Sequence, residues 1–317
     1  MQTLNRKTAS SWRQVLTALF LTSFCELSFA SDFFPSPLIK GDWLSSHIDE
    51  VLVLDVRKDL DTFNKEGHIE GAILVNQGKV RVTRKFEGKE LTRMIPDQPT
   101  FQAFLHQLGV NNDSNVVLTH RGKTPGQVAG AARLYWQMKY YGFNNVAMLD
   151  GGNAAWVDAL EDLVTNDTEV TAGDVELKEE HPAIFSTMAE VRAALNDPDT
   201  RLVDTRDLRQ HIGIYHKDYV YAPGHIPGSA NFPYKFLHAE KGAAKYFPVD
   251  KIRTIFEALN IDLNDHLILY CNSAFECSSV WFVLHEVMGK QDVSVYDGSL
   301  HQWTQYLENP MSVKLGQ

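Results

Sequence analysis

The stretches VLVLDVR at residues 51–57 and RLVDTR at residues 201–206 decide the fold, because each is a short apolar run that ends in Asp-x-Arg. A similar turn follows each stretch, GHIEGA at residues 67–72 and GHIPGS at residues 224–229. Both blocks recur in the same order at a nearly constant offset. The sequence therefore predicts an internal repeat of one structural unit.

Further blocks extend the repeat and indicate its fold class. In each copy a helical pattern precedes an apolar strand, and an Asp-Gly segment follows, LDGGNAAW at residues 149–156 and YDGSLHQW at residues 296–303. TMAE at residues 187–190 has the pattern of a capping box, which predicts the start of the first helix of the second copy. Short apolar strands that alternate with amphipathic helices are typical of α/β units. We therefore predict an α/β protein with two tandem domains, each a mostly parallel sheet flanked by helices.

The first thirty residues have the pattern of a secretory signal peptide. Basic residues precede a short apolar run at residues 15–24, and the SFA triplet at residues 28–30 matches a cleavage signal. We therefore expect an exported protein, periplasmic in a Gram-negative bacterium. The predicted parts are a signal peptide over residues 1–30, an N-terminal domain over residues 31–163, a linker over residues 164–183 and a C-terminal domain over residues 184–317.

Composition restricts the partners and the chemistry. The formal net charge of −10 gives no reason to expect nucleic acid or an anionic membrane as a partner. Signal cleavage would remove Cys25 and leave Cys271 and Cys277, too few for a disulfide scaffold in an exported chain of this length. Hydrophobic cores must therefore stabilise both domains. The twelve histidines show no spacing typical of a metal site.

Cys271 is the candidate nucleophile, because it ends the apolar run HLILYC at residues 266–271 and precedes the loop NSAFEC at residues 272–277. A helical pattern follows at residues 280–288. Backbone N–H groups in such a loop and at a helix N-terminus lower the pKa of a thiol, and the thiolate is the reactive form. The alternative is a small buried apolar residue. The first copy has His120 at the equivalent position, so we interpret the second copy as catalytic and the first as a structural partner.

Jointly, these blocks resemble the tandem rhodanese-domain sulfurtransferases, which include thiosulfate and 3-mercaptopyruvate sulfurtransferases. The resemblance runs from Leu38 to Leu307 and implies a ping-pong reaction through a persulfide on Cys271. It implies a small anionic sulfur donor as one partner, and a thiol, cyanide or a protein as the sulfur acceptor. It implies no metal and no organic cofactor, and we expect no membrane partner after signal cleavage.

We expect the loop after Cys271 to form an anion cradle that binds the substrate and the persulfide. Loops of this family usually carry Arg and Lys after the cysteine or read CGSGVT, so Ala274 replaces a glycine here and would be strained at a positive φ. The usual position of a charged substrate clamp falls at Gln210, so the preferred donor stays open. The candidate substrate-binding residues are Asn272, Ser273, Ala274, Phe275, Glu276, Cys277, Arg209 and His211, and Asp204 and Arg206 are interpreted as a supporting pair.

Two residues of the loop have alternative interpretations. Glu276 either favours the helix N-terminus from the solvent side or faces the cradle, where its charge would oppose a thiolate. Cys277 either packs as a small residue in the first helical turn or acts as a resolving thiol toward Cys271. A disulfide between the two would require Cα atoms within about 7 Å of each other.

Three other functions are weighed against a sulfurtransferase. The first is a non-catalytic rhodanese-like module that binds a partner or carries sulfur, and the second is a dithiol oxidoreductase that uses Cys271 and Cys277. The third is a phosphatase, which needs an arginine six residues after the cysteine to hold phosphate. Cys277 occupies that position, which disfavours the phosphatase.

Overall fold

The computed structural model describes residues 33–86, 88–178 and 180–314. The predicted signal peptide lies outside the described residues. The helices and strands of the first domain are, in chain order, β1 Leu38–Ile39, α1 Gly41–Ser46, β2 Leu52–Arg57, α2 Thr62–Glu66, β3 Ile73–Asn76, β4 Val82–Phe86, β5 Lys89–Met94, α3 Gln98–Gln107, β6 Val116–Thr119, α4 Pro125–Tyr140, β7 Val146–Leu149 and α5 Gly152–Asp158.

The second domain repeats this order apart from the hairpin formed by β4 and β5. A π-helical turn over Phe282–Val287 continues the helix Glu276–Trp281 of this domain. Its elements are β8 Phe185–Ser186, α6 Met188–Ala194, β9 Thr200–Asp204, α7 Leu208–His211, β10 Ala230–Asn231, α8 Val249–Ala258, β11 His266–Tyr270, α9 Glu276–Trp281, β12 Val293–Tyr296 and α10 Ser299–Trp303.

Each domain contains a five-stranded parallel sheet, and the two sheets have the same plan. The strand order is β1-β7-β6-β2-β3 in the first sheet and β8-β12-β11-β9-β10 in the second. Every residue of β6 is buried, and so is β11 from Leu267 onward, as expected for central strands covered by helices on both faces. The structure thus confirms the predicted α/β fold of two parallel sheets. His120 follows β6 and Cys271 follows β11, so the two positions are structural equivalents.

The two domains share one continuous apolar core, in which α4 of the first domain packs against α9 of the second. The rings of Tyr135 and Phe282 meet edge to face with centroids 4.8 Å apart, and the Tyr135 hydroxyl donates to Glu286 at 2.6 Å. Burying both helices against each other removes apolar surface that either domain would otherwise expose. The interface therefore fixes the loop after β6 and the loop after β11 relative to each other.

Each domain also extends one segment across the other. The antiparallel hairpin of β4 and β5 lies on the second domain, where Ile95 N–H donates to Asp297 at 2.9 Å. The segment after β10 lies on the first domain, where Tyr246 N–H donates to Asp150 at 2.9 Å. Asp297 and Asp150 are the aspartates of the two Asp-Gly blocks. Each segment thus reaches the strand ends where ligands bind in α/β sheets.

The segment between the domains is mostly extended and lies along the first domain. Gly173 N–H donates to the His106 carbonyl at 2.8 Å, and Val175 N–H donates to the Val110 carbonyl at 3.1 Å. A Cβ on Gly173 would lie 2.1 Å from the Val110 oxygen, so only glycine fits this close approach.

The predicted capping box is present at the start of α6. Glu190 N–H donates to the Thr187 hydroxyl at 3.2 Å, and Thr187 N–H donates to the Glu190 carboxylate at 2.6 Å. Within residues 33–86, 88–178 and 180–314, none of the helices has the length and apolar character that a membrane span requires.

Candidate active site

The Asp-x-Arg motif forms a buried ion pair that supports the cysteine loop. Arg206 donates from Nε and Nη2 to the two carboxylate oxygens of Asp204 at 2.8 and 2.6 Å, and from Nη2 to the Gly224 carbonyl at 2.7 Å. Burial alone would raise the pKa of Asp204, but the Arg206 guanidinium and His211 lower it to about 2. Asp55 and Arg57 are bonded in the same way in the first domain. The predicted supporting pair is therefore present, and it ties the end of the strand to the following turn.

The two residues predicted as anion contacts on α7 have other partners. His211 is buried, its Nδ1 lies 3.0 Å from the Asp204 carboxylate, and its ring stacks on His225 with centroids 3.8 Å apart. Arg209 is exposed and its guanidinium lies 5.4 Å from the centre of the Tyr215 ring. Among the described residues, no hydrogen bond or ion pair joins Arg209 to the Cys271 loop. The buried Asp204 carboxylate thus holds the His211 ring, and no contact in the structure supports an anion-binding role for His211 or Arg209, so both roles stay predictions.

The Cys271 loop forms the predicted cradle of N–H groups. Cys271 is 1% exposed, its N–H donates to the Ser299 hydroxyl at 3.2 Å, and its carbonyl accepts from Leu300 N–H at 3.1 Å. Burial would raise the pKa of the Cys271 thiol, but the Cys277 thiol donates to its sulfur and lowers the pKa. Backbone N–H groups of Cys277, Ser273 and Glu276 also donate to that sulfur, and together these contacts lower the pKa to about 6. The thiolate is therefore the dominant form at neutral pH.

Ala274 has the strained backbone that its replacement of a glycine predicts. Its φ is 57°, in the left-handed region that favours glycine. The fold holds the residue in place, because its carbonyl accepts from the Ser278 hydroxyl at 2.6 Å and from Arg133 Nη1 at 3.4 Å. Arg133 lies on α4 of the first domain and also pairs with Asp297 at 2.6 Å. The first domain thus contributes directly to the geometry of the loop.

Cys277 lies against the reactive sulfur. Its Sγ is 3.8 Å from the Sγ of Cys271, and both cysteines are free thiols. Burial and the neighbouring Cys271 thiolate raise the pKa of Cys277 well above its usual value. Cys277 therefore keeps its proton and donates it toward Cys271, which is more than the packing role of a small helical residue.

Glu276 faces the interior of the site. The residue is only partly exposed, and its Oε2 is buried without a hydrogen-bond partner among the described residues. Burial, followed by the charges of Cys271 and Asp204, raises the pKa of Glu276 well above its usual value. The interpretation that Glu276 faces solvent was therefore wrong. The raised pKa lowers the negative charge that Glu276 holds against the thiolate, compared with an ordinary glutamate.

The side chains of Asn272 and Gln210 bond to each other. Asn272 Nδ2 donates to the Gln210 side-chain oxygen at 3.0 Å, and both residues are buried. Gln210 stands at the position that sequence comparison suggested for a charged substrate clamp. Here it positions the cysteine loop instead.

The first domain brings to the mouth of the cradle a group of residues that no sequence motif indicated. Arg81 Nη1 donates to the hydroxyl of Ser273 at 3.0 Å, and its guanidinium lies 3.8 Å from the centre of the Phe275 ring. Arg93, on β5, lies over the ring of Tyr219 at 4.0 Å. A usable signal was the basic run at residues 81–93, which has no counterpart in the second copy of the repeat.

The equivalent cradle of the first domain is closed. His120 is fully buried, and its Nδ1 accepts from Gly122 N–H at 3.0 Å, so the loop folds back on the ring. Burial lowers the pKa of His120 to about 3, so the imidazole is neutral. The segment from the second domain covers this loop, because Ala244 N–H donates to the Gly122 carbonyl at 2.7 Å. The first cradle therefore has a neutral imidazole in place of the thiol, and its loop is hydrogen-bonded to a segment of the second domain.

The chain is similar to known proteins over most of its length. A family model described as a rhodanese-like domain matches residues 41–159 and 187–306. A Haloferax volcanii protein named "Putative thiosulfate sulfurtransferase" is 29% identical over 304 residues, 89% of this chain and 98% of its own. The sulfur carrier protein TtuD of Thermus thermophilus is 28% identical over 289 residues, 88% of this chain and 97% of its own.

A solved structure has the same fold at lower sequence identity. The anaerobic ergothioneine biosynthesis enzyme from Chlorobium limicola, in complex with trimethyl histidine, superposes with a TM-score of 0.76 and 23% identity. The match covers 88% of this chain and 71% of that chain.

Proposed function

The chain belongs to the rhodanese-like domain family of sulfurtransferases, with two copies of the domain, and on that premise we propose that it transfers sulfane sulfur through a persulfide on Cys271. The observation that carries the proposal is the cradle around the Cys271 sulfur. Three backbone N–H groups and the Cys277 thiol donate to that sulfur and hold its pKa at about 6. A buried thiolate at neutral pH is the form that attacks an electrophilic sulfur.

In the first half-reaction the Cys271 thiolate attacks the sulfane sulfur of the donor. With thiosulfate, a bond forms between the Cys271 sulfur and the sulfane sulfur while the sulfur–sulfur bond of the donor breaks. The bonding electron pair leaves with sulfite, and the enzyme keeps one sulfur as Cys271–S–S⁻. With 3-mercaptopyruvate the carbon–sulfur bond breaks instead, and the thiol proton of the donor ends on the methyl group of pyruvate.

In the second half-reaction the acceptor attacks the outer sulfur of the persulfide. A thiolate or cyanide forms a bond to that sulfur, and the electron pair of the sulfur–sulfur bond returns to Cys271 as the thiolate. The same N–H groups stabilise the anion before and after each transfer, in the manner of an oxyanion hole. The protein therefore needs little rearrangement between the two half-reactions.

We propose that the protein is exported to the periplasm, where it accepts sulfur from a small anionic donor. The signal-like pattern of residues 1–30 supports export. A protein acceptor is included among the thiol and cyanide acceptors, because one relative is named a sulfur carrier protein. The donor is proposed to be thiosulfate or 3-mercaptopyruvate.

Mass spectrometry of the reduced, intact protein tests this proposal. After incubation with thiosulfate or 3-mercaptopyruvate, we expect a gain of one sulfur atom that cyanide removes. The gain should persist in Cys277→Ser and disappear in Cys271→Ser. If neither donor loads sulfur on the reduced wild-type protein or on reduced Cys277→Ser, the proposal fails and the non-catalytic module becomes the better description.

A second candidate function follows from the 3.8 Å between the Cys271 and Cys277 sulfurs. The Cys277 thiol could attack the inner sulfur of the Cys271 persulfide, which would form a Cys271–Cys277 disulfide and release HS⁻. An external dithiol would then have to reduce the disulfide. Sulfide release with loss of two titratable thiols after donor loading would support this dithiol chemistry, and retention of both thiols would exclude it.

A further inference from the structure

Two arginines of the first domain stand at the mouth of the Cys271 cradle. Arg81 precedes the hairpin of β4 and β5, and its Nη1 donates to the carbonyl and the hydroxyl of Ser273 at 3.3 and 3.0 Å. Arg93, on the second strand of the hairpin, lies over Tyr219, whose hydroxyl shares a hydrogen bond with Ser273. Arg81 thus contacts Ser273 directly, and Arg93 is linked to Ser273 through Tyr219.

The protein compensates these two charges only in part, because the Cys271 thiolate favours the charged form of Arg81 less strongly than burial disfavours it. Among the described residues neither Arg81 nor Arg93 makes an ion pair with a carboxylate. By contrast, each of the fully buried arginines Arg57, Arg133 and Arg206 pairs with an aspartate at 2.6 Å. A half-buried cation without a partner is costly, and a bound anion would remove that cost.

Arg81 also has hydrogen-bonding capacity to spare. Its Nε is buried and has no partner among the described residues, while Nη1 is occupied by Ser273. Burial, and then the positive charge of Arg133, lowers the pKa of Arg81 to about 9, with Arg93 acting in the same direction. An anion bound beside Arg81 would oppose both effects. A guanidinium with free N–H groups is suited to the planar or trigonal oxygens of a carboxylate or sulfonate.

The backbone of Arg93 is held in an unfavourable conformation. Its φ is 66°, in the left-handed region that side chains other than glycine rarely adopt. Such conformations persist where the surrounding structure fixes them, and they are concentrated at functional sites. Here the conformation belongs to the residue whose guanidinium covers Tyr219 beside the cradle.

We propose that Arg81 and Arg93 bind the anionic end of the sulfur donor, so that the first domain supplies the substrate clamp for the cysteine of the second. This inference rests on the proposed function for the identity of the donor, but not for the existence of the anion site. A donor with its carboxylate or sulfonate on these arginines presents its sulfur toward Cys271 from the side of Ser273. The α7 helix cannot take this role, because Gln210 bonds to Asn272 and His211 to Asp204.

Paired alkylating agents test the anion site without any need for sulfur transfer. Iodoacetate and iodoacetamide react with the same thiolate but differ by one negative charge. Rates of Cys271 alkylation are measured at pH 8.5, where Cys271 is a thiolate in every variant, using Cys277→Ser as the background. The iodoacetate-to-iodoacetamide rate ratio should fall about tenfold in Arg81→Gln or Arg93→Gln, and further in the double variant, because a charged hydrogen bond is lost at each step.

Steady-state kinetics with thiosulfate and 3-mercaptopyruvate then relate the site to the donor. The KM should rise about tenfold to hundredfold in the same variants while kcat changes little, and Arg81→Lys should recover part of the loss because it keeps the charge. Lys85→Gln is the matched control, since it removes one exposed positive charge from the same hairpin. Its rate ratio and KM values should stay near those of the wild-type protein.

The outcomes separate the two proposals. An unchanged alkylation ratio in Arg81→Gln/Arg93→Gln, or an equal fall in Lys85→Gln, would overturn the clamp. A lowered ratio together with a wild-type protein that accepts sulfur from neither donor would establish the anion site and overturn the sulfurtransferase. A lowered ratio with raised KM supports both.

Discussion

The two cradles of this protein follow central strands of sheets with the same strand order, yet their surroundings differ. Around Cys271, N–H groups converge on a sulfur, and the mouth is lined by arginines of the other domain. Around His120, the loop folds back on the imidazole, and a segment of the other domain covers it. Both segments have equivalent places in their domains. In this protein the two cradles thus differ both in the residue at the strand end and in the segment that covers the loop.

The largest effect is expected from exchanging the residues at positions 120 and 271, which tests whether the two cradles differ in function. We expect Cys271→Ser to lose sulfur loading completely, and Cys271→Ser/His120→Cys to regain none, because the first cradle is closed and lacks the clamp. Sulfur loading is read by intact-protein mass spectrometry. Loading on the new cysteine would show that a thiol alone converts either cradle into a site.

The second comparison concerns how much each buried Asp–Arg pair contributes to the free energy of unfolding. Asp204→Asn and Asp55→Asn each leave a buried arginine without its carboxylate, so each should lower the free energy of unfolding by about 3–5 kcal/mol. Because the pKa of Asp204 is lowered to about 2, its contribution is complete above its unfolded pKa and is lost as the pH falls toward 2. Denaturant unfolding at neutral pH measures the change.

Activity at a temperature where both variants are folded distinguishes the two pairs. Asp204→Asn should also slow sulfur loading, because Asp204 holds the turn and His211 beside the catalytic loop. Asp55→Asn should leave the loading rate of its folded fraction near that of the wild-type protein. Equal loss of activity in the two variants would contradict the division of roles.

The Cys277 thiol is expected to influence the pH dependence of sulfur loading on Cys271. Loading should fall about tenfold per pH unit below about pH 6, because protonation of Cys271 removes the nucleophile. Cys277→Ala should raise that pKa by about 1–2 units, since a hydrogen bond to the thiolate is lost. The rate of alkylation by iodoacetamide as a function of pH reports the pKa.

A conservative replacement serves as the control for Cys277. Cys277→Ser keeps a hydrogen-bond donor beside Cys271 and should show a smaller rise in pKa than Cys277→Ala. An identical pH profile in the wild-type protein and both variants would mean that the backbone N–H groups alone stabilise the thiolate.

The smallest expected effect concerns the backbone of the loop. In the first cradle a glycine, Gly122, takes the positive φ, whereas in the second Ala274 does so at 57°. Ala274→Gly relieves this strain and should raise the free energy of unfolding by about 1 kcal/mol, reduced by the greater freedom of glycine in the unfolded chain. Thermal or denaturant unfolding of the two proteins measures the change, and a clear loss of stability would contradict the strain.

Local patterns were sufficient for several features of the site. The capping box at Thr187 and the Asp204–Arg206 pair depend on residues close in the chain, so sequence spacing predicts them. The left-handed residue in the loop was also foreseeable, because a glycine is usual at the position of Ala274. The side on which Glu276 lies was not, since a residue at a helix start can turn toward solvent or toward the site.

Strand periodicity and the order of the blocks can be read along the chain, so they were enough to predict the repeat, the two parallel sheets and a cysteine, Cys271, at the end of one central strand. Only the tertiary structure decided the clamp, the closure of the first cradle and the burial of Glu276. Arg81 lies 192 positions from Ser273 along the chain. Charge complementarity over such a separation depends on how two domains pack, and no spacing rule in one segment encodes it.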